Sequence, residues 1–258
     1  MLDPSSQRHT PGGSILRVAR YGPGLVQARH AHGHGSLSLV VQGELQERVG
    51  GRVETAGPLS VVVKPAGVEH ADSFGCRGAL VLQLILSPAD EGLAGPPGEA
   101  LTDWRWFHAP RAARPLLALF RALGAPAGSA LDDLENLMVE AFADLDAAPP
   151  RSDAPPWLRR ASEALAEESV PIRSVAQACG VHPVHLAREF RRCLGASPSE
   201  HRRRARLRRA AELLANSDLS LVETALNAGY ADQAHMTRDL NAAIGLTPRR
   251  LRGLIGAR

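Results

Sequence analysis

Cysteine is scarce in this chain. Cys76, Cys179 and Cys193 make an odd number with no Cys-x-x-Cys spacing. That argues against a disulfide scaffold or a zinc finger and fits reduced thiols in a cytosol. No apolar run reaches membrane-spanning length, and Met1–Ser6 lacks the basic and apolar regions of a secretion signal. The expectation is a cytoplasmic protein with no membrane partner. Also missing is any nucleophile constellation or paired acid and base, which argues against an enzyme.

A chain of 258 residues can hold one large domain or two ordinary ones. Charge divides them. From Trp157 to Arg258 there are 17 arginines against 10 acids, whereas residues 1–156 carry 17 acids against 13 basic residues. A basic segment joined to a mildly acidic one suits a polyanion reader coupled to a different module.

Within the basic segment two stretches repeat. Val175-Ala-Gln-Ala-Cys-Gly-Val181 is echoed by Thr224-Ala-Leu-Asn-Ala-Gly-Tyr230, and each leads to a Gly-x-(Ser/Thr)-Pro step at Gly195–Pro198 and Gly245–Pro248. The Ala-x3-Gly pattern suits a helix-turn-helix. A small Ala lets two helices cross closely, and the Gly accepts a left-handed turn. Pro171 and Pro183 suit first helical turns, while Ser197-Pro-Ser-Glu200 and Ser220-x-x-Glu223 have the form of capping boxes. About seven short helices are expected, with a long central one near Pro198–Ala215.

Helical periodicity sorts the faces of the two second helices. If Leu186 and Phe190 face inward, then Val184, Ala187, Arg188 and Arg191 face out, with His185 on the flank. If Met236 and Leu240 face inward, then Ala234, Thr237, Arg238 and Asn241 face out, with Gln233 near the leading end. These are groove-reading types: Arg for guanine, Asn or Gln for adenine, and Thr or Val for a thymine methyl. The arginine run of the central helix (Arg202, Arg203, Arg204, Arg206, Arg208 and Arg209) is expected to be mostly a solvated face, with some of its members paired with Glu200 and Glu212 and a minority in contact with phosphate.

This segment resembles the AraC/XylS family of bacterial transcription regulators. The resemblance rests on Leu186-x3-Phe190-x4-Gly195-x2-Pro198 and on Ala225-x3-Gly229-Tyr230-x-Asp232-Gln233-x-His235-x2-Arg238, followed by Gly245-Leu246-Thr247-Pro248. Met236 and Leu240 stand where the family usually has Phe. The resemblance implies binding to double-stranded promoter DNA and regulation through contact with RNA polymerase.

From Ile15 to about Leu86 the pattern changes to short apolar runs broken by glycine. Candidate strands are Ile15–Tyr21, Ser36–Val41, Glu44–Val49, Leu59–Lys64 and Ala79–Leu86. Gly24-x5-His30-x-His32, Gly43 and Pro65-x-Gly67-x2-His70 resemble the two motifs of the cupin barrel, which implies effector binding and dimerisation. Histidines at i and i+2 on a strand share a face, so His30, His32 and His70 can form a three-nitrogen site for a divalent metal, with His34 and Glu47 as further candidates. The cupin pattern would place a Glu ligand at Ser36, so its four-ligand set is incomplete. No cofactor is required on this reading. A metal, a small organic effector and histidines satisfied by the backbone all stay open.

The expected architecture is an α+β multidomain chain, a cupin-like antiparallel β-barrel followed by an all-α domain with two helix-turn-helix motifs. Residues 1–13 are expected to be a flexible N-terminus and 14–110 the effector and dimerisation barrel. Residues 111–146 form a helical connector with Arg114–Leu123 and Leu131–Leu145 as helices. Their apolar stripes pack on the barrel or pair with a second chain. Residues 147–156 are a Pro-rich linker and 157–258 the DNA-binding domain. The function expected is a sequence-specific transcription regulator, activator or repressor, acting as a homodimer under a small-molecule or metal effector. The alternatives are a metal-dependent cupin enzyme carrying a DNA-binding tail and a DNA-binding protein whose barrel only dimerises.

Overall fold

A computed structural model of the chain describes residues 7–10, 12–88, 103–123, 154–167 and 170–255. The expected helix Leu131–Leu145 and most of the Pro-rich linker lie outside the described residues. Eight strands form one antiparallel sheet: β1 Gln7–His9, β2 Ile15–Tyr21, β3 Val26–His30, β4 Ser36–Val49, β5 Arg52–Ala56, β6 Ser60–Lys64, β7 His70–Ile85 and β8 Arg105–Phe107. A 3-10 turn, Pro110–Ala112, leads into α1, Ala113–Leu123. Then come α2 Pro156–Ala166, α3 Ile172–Ala178, α4 Pro183–Leu194, α5 Pro198–Asn216, α6 Leu221–Asn227, α7 Gln233–Ile244 and α8 Pro248–Ile255.

The pairing path runs β1-β2-β7-β4-β6-β8, with β3 attached to β7 and β5 to β4. Among the described residues no ladder joins β1 to β8, so the expected barrel is not closed. Two long strands carry the sheet. Ser36–Val41 and Glu44–Val49, expected as separate strands, are one strand, β4, whose pairing with β7 shifts register around Gln42 and Gly43. There the backbones of β4 and β7 touch. A Cβ at Gly43 would lie 1.9 Å from the Gly78 carbonyl oxygen, so only glycine fits. The glycine that looked like a strand break is a bulge. Gln7–His9, within the stretch expected to be loose, pair with β2.

Alternation on either side of the bulge gives the sheet two faces. Leu37, Leu39, Val41, Val61, Val63, Leu80, Leu82 and Leu84 point to one side. Val40, Val62 and Val81 point to the other, with Trp104 and Trp106. The first face is continuous with α1 and with α5–α8 in a single buried cluster. Leu116, Leu119 and Phe120 of α1 are fully buried there, so this apolar stripe packs against its own chain. Truncating a side chain such as Phe120 removes about 3–5 kcal/mol. A separate cluster holds α2, α3 and α4 together through Leu158, Leu165, Val175, Leu186 and Phe190. Gln42 reaches from β4 into the first core, its side-chain amide donating to the carbonyls of Ala215 and Ile255.

Candidate nucleic-acid interface

The repeated heptapeptides form the same turn twice. Ala176 and Ala225 are wholly buried, where α3 meets α4 and where α6 meets α7. Gly180 and Gly229 have φ of 68° and 86°, the left-handed region that disfavours a Cβ. The hydrogen bonds match as well. Val181 N–H donates to the Ala176 carbonyl at 3.0 Å and Tyr230 N–H to the Ala225 carbonyl at 2.9 Å. Gly180 and Gly229 each donate at 3.0 Å to the carbonyl three residues back. This doubled closure satisfies carbonyls that a helix end would otherwise orphan.

Each following helix is capped at its start. His182 Nδ1 accepts from Val184 N–H at 3.2 Å ahead of α4, and Asp232 accepts from His235 N–H at 2.6 Å ahead of α7. Ser197 caps α5 through Glu200 N–H at 3.2 Å, and Ser220 with Glu223 forms a reciprocal capping box on α6.

Both inward pairs lie where periodicity places them: Leu186, Phe190, Met236 and Leu240 are fully buried. The opposite face of α4 exposes Val184, His185, Arg188 and Arg191, with Ala187 half-buried. That of α7 exposes Gln233, Ala234, Arg238 and Asn241. Thr237 is half-buried, and its hydroxyl donates to the Gln233 carbonyl at 2.8 Å.

The arginines of α5 do structural work. Arg202 donates to the Val170 carbonyl, and Arg209 donates to the Ala166 carbonyl at 3.2 Å, at the end of α2. Arg203 pairs with Asp239 at 2.5 Å, Arg204 with Glu200 at 3.4 Å, and Arg206 sits 5.4 Å over the Tyr230 ring. Arg208 points toward the His108 carbonyl at 3.5 Å. The Tyr230 hydroxyl donates to Asp239 at 3.1 Å, and burial together with that carboxylate raises its pKa. The pairing expected with Glu200 is present; the carbonyl and ring contacts are not apparent from sequence spacing.

A second cluster lies on the sheet. The ligating atoms of His30, His32 and His70 all fall within 4.8 Å of one another, and so do those of Glu47, His70 and Asp72. Strand alternation does not explain the first group, because β3 ends at His30 and His32 lies in the loop beyond it. Pairing of His30 with His70 across β3 and β7 brings them together instead. Nδ1 of His30 lies 2.7 Å from the Ala28 carbonyl oxygen, and Nδ1 of His70 lies 2.9 Å from that of Val68. Nε2 of His70 is buried without a hydrogen-bond partner, as is Nδ1 of His34. His34 and His32 line a small cavity of about 120 Å³ with Ser36 and Lys64.

Glu47 is fully buried in this region. It forms an ion pair with Lys64 and accepts hydrogen bonds from the indole N–H groups of Trp104 and Trp106, the latter at 3.1 Å. Lys64 and Asp72 are the residues that sequence reasoning missed. Asp72 is two residues past His70 on β7, so period-two alternation was the available signal. Burial, followed by the charges of His70 and Lys64, pushes the His32 pKa down to about 4, so its ring is neutral at pH 7. Cys76 is exposed and joins neither group.

Repeated turns, buried inner faces and arginine-bearing outer faces define a helix-turn-helix DNA-binding protein. A family model described as a helix-turn-helix domain matches residues 175–253. The probable transcription factor PqrA of Proteus vulgaris is 31% identical over 96 residues, covering 37% of this chain and 77% of that protein. The HTH-type transcriptional regulator GlxA of Rhizobium meliloti (strain 1021) is 34% identical over 95 residues, covering 37% of this chain but only 29% of that regulator. The C-terminal domain of AraT, a response regulator from Geobacillus stearothermophilus, is a similar solved structure with a TM-score of 0.39 and 29% identity over 42% of this chain and 92% of that one. The chain belongs to the AraC/XylS family of transcription regulators and is a DNA-binding member of it. No helix among the described residues is long and apolar enough to cross a membrane.

Proposed function

We propose that α3–α4 and α6–α7 are two DNA-reading helix-turn-helix units, with α4 and α7 entering successive major grooves. One contrast carries this reading. Arg188 and Arg238 are exposed and have no ion pair or hydrogen bond among the described residues, whereas the arginines of α5 are engaged inside the fold. Free guanidiniums on outward faces suit guanine edges. The 19-residue α5 between the units spans roughly 28 Å, which with side chains approaches the 34 Å of one DNA turn.

Residues 14–110 act as the sensor, 111–146 as connector and possible dimer surface, 147–156 as linker and 157–258 as the DNA-binding domain. The protein works in the cytoplasm as a homodimer and communicates with RNA polymerase. An effector bound on the sheet shifts DNA affinity only if it prefers one arrangement of the chain. Nε2 of His70, buried without a hydrogen bond and 3.9 Å from the Asp72 carboxylate, favours the His30, His32 and His70 cluster as that effector site. Backbone carbonyls orient two of the three rings, as in many metal sites. The nearby Lys64 ammonium opposes a cation, so a polar organic effector suits the same groups.

Selection of bound duplexes from a random pool tests the DNA-reading assignment. Enrichment of a bipartite sequence with two elements about one helical turn apart is expected. Binding without sequence preference sinks the assignment.

A further inference from the structure

Both repeated units carry an acid at the same place, directly after the outward arginine. Glu189 follows Arg188 on α4, and Asp239 follows Arg238 on α7. Both carboxylates are largely buried, their side chains 10% and 12% exposed. An acid this close to a polyanion repels it unless a cation within the protein takes up the charge. The two units answer that demand differently.

In the first unit the carboxylate stays on its own helix. Glu189 accepts from Nε of Arg192 at 2.9 Å, and the Cys193 sulfur lies 3.9 Å away. A bond between residues i and i+3 turns with its helix and sets no angle against a neighbouring one. Leu186 and Phe190 hold α4 by apolar packing, with the His201 ring of α5 edge-on to Phe190 at 5.4 Å. Apolar burial is non-directional.

In the second unit the carboxylate leaves its helix. Asp239 accepts from Nε of Arg203 on α5 at 2.5 Å and from the hydroxyl of Tyr230, in the turn, at 3.1 Å. The Tyr230 ring is itself held, with the Arg206 guanidinium 5.4 Å from its centroid and the His235 ring edge-on at 5.1 Å. Val181 stands at the matching place in the first turn and has no hydroxyl to offer. Two charge-assisted bonds from two different elements therefore fix the angle of α7 about its own axis. That angle decides where Arg238 points. A rotation of about 10° moves a group at the outer radius of a helix, about 5–6 Å, by roughly 1 Å. Recognition geometry tolerates only about 0.5 Å.

We infer that Asp239, together with Arg203, is a positioning residue for base reading by Arg238, and that Glu189 has no such role for Arg188. The inference rests on the assignment of α4 and α7 as reading helices. It adds that the half of the site under α7 depends on a lock that the half under α4 lacks.

Competition binding tests it, with duplexes that differ from the selected sequence by one base pair each. R238A marks the position that Arg238 reads. There D239N and R203Q should each cut the preference for the best base by about tenfold, and the double variant should lose no more than either single one. Preference in the other element should stay within about twofold in all three, and in E189Q it should stay within about twofold throughout the site. A residue that only stabilises the fold would weaken binding to every duplex alike. R203Q alters α5 alone, so it keeps the test open if D239N fails to fold. Unchanged preference at the Arg238 position in R203Q and D239N would overturn the inference, as would a loss spread equally over both elements or a matching loss in E189Q. Those results leave the DNA-reading assignment standing. An R238A variant that changes no position, or a wild-type chain that selects no sequence, removes that assignment and the inference with it.

Discussion

Arg203 of α5 donates from Nε to Oδ1 of Asp239 on α7 at 2.5 Å. The other oxygen of the same carboxylate accepts the Tyr230 hydroxyl at 3.1 Å, so one side chain ties together the central helix, the turn and the second outward-facing helix. The Asp239 side chain is 12% exposed and that of Arg203 31%, which places the pair between a surface and a buried ion pair. D239A should destabilise the protein by about 2 kcal/mol, and Y230F by about 1 kcal/mol. Urea denaturation of both variants reads this. A D239A midpoint equal to wild type would show the pair to be energetically idle.

Arg188 and Arg238 lie on exposed helix faces, whereas Arg209 is engaged with the Ala166 carbonyl. R188A and R238A should each cost about 1–3 kcal/mol on the preferred duplex and relax the choice of base at one position. R209A should lower the thermal midpoint, because it uncaps the Ala166 carbonyl. It should leave the salt dependence of DNA binding unchanged, since an arginine that touches no phosphate releases no counterion. A salt slope reduced by about one in R209A would reassign that residue to the DNA backbone.

Much of the helical half was legible because its signals are local. Ala-x3-Gly, the Ser-x-x-Glu caps and the Leu186/Phe190 and Met236/Leu240 pairs each act within a few residues, and the helices begin and turn where those residues stand. The sheet was less legible. Alternation located β2, β6 and the second half of β7, but β3 and β5 are polar and mostly exposed and carry little apolar pattern. Gly43 read as a break because sequence does not show that Gly78 presses against it. The roles of Lys64 and Asp72 depend on cross-strand register. Ser36 pairs with Lys64, and Glu47 pairs with Asp72.

Glu47 is the most deeply committed charge on the sheet. It is fully buried, with Lys64 and two indoles as its partners. E47Q keeps the shape but leaves the Lys64 ammonium, whose side chain is 11% exposed, without its counter-charge. A loss of about 3 kcal/mol is expected, the usual consequence of breaking a buried pair from one side. E47Q with K64M should recover part of it, because removing both charges also removes their desolvation cost. Equal stability of E47Q and the double variant would argue that Lys64 reaches water.

Acid sensitivity should come in part from His201. Its ring lies against Phe190 with centroids 5.4 Å apart, and Nε2 is 3.0 Å from the Ser162 hydroxyl. Burial, reinforced by the charge of Arg208, pushes its pKa down to about 4 from an ordinary 6.5. Above pH 6.5 the ring is neutral in both folded and unfolded chains and contributes no pH dependence. Between pH 6.5 and 4 the unfolded chain binds more protons, so stability falls as the solution is acidified. The loss attributable to this one group reaches at most about 3 kcal/mol near pH 4. H201Q removes the titration and keeps an amide donor for Ser162. The stability gap between wild type and H201Q should therefore shift in favour of the variant as pH drops through that window, while the other histidines, present in both proteins, cancel in the difference. Parallel stability curves from pH 7 to pH 4 would mean that the ring is protonated in the native state.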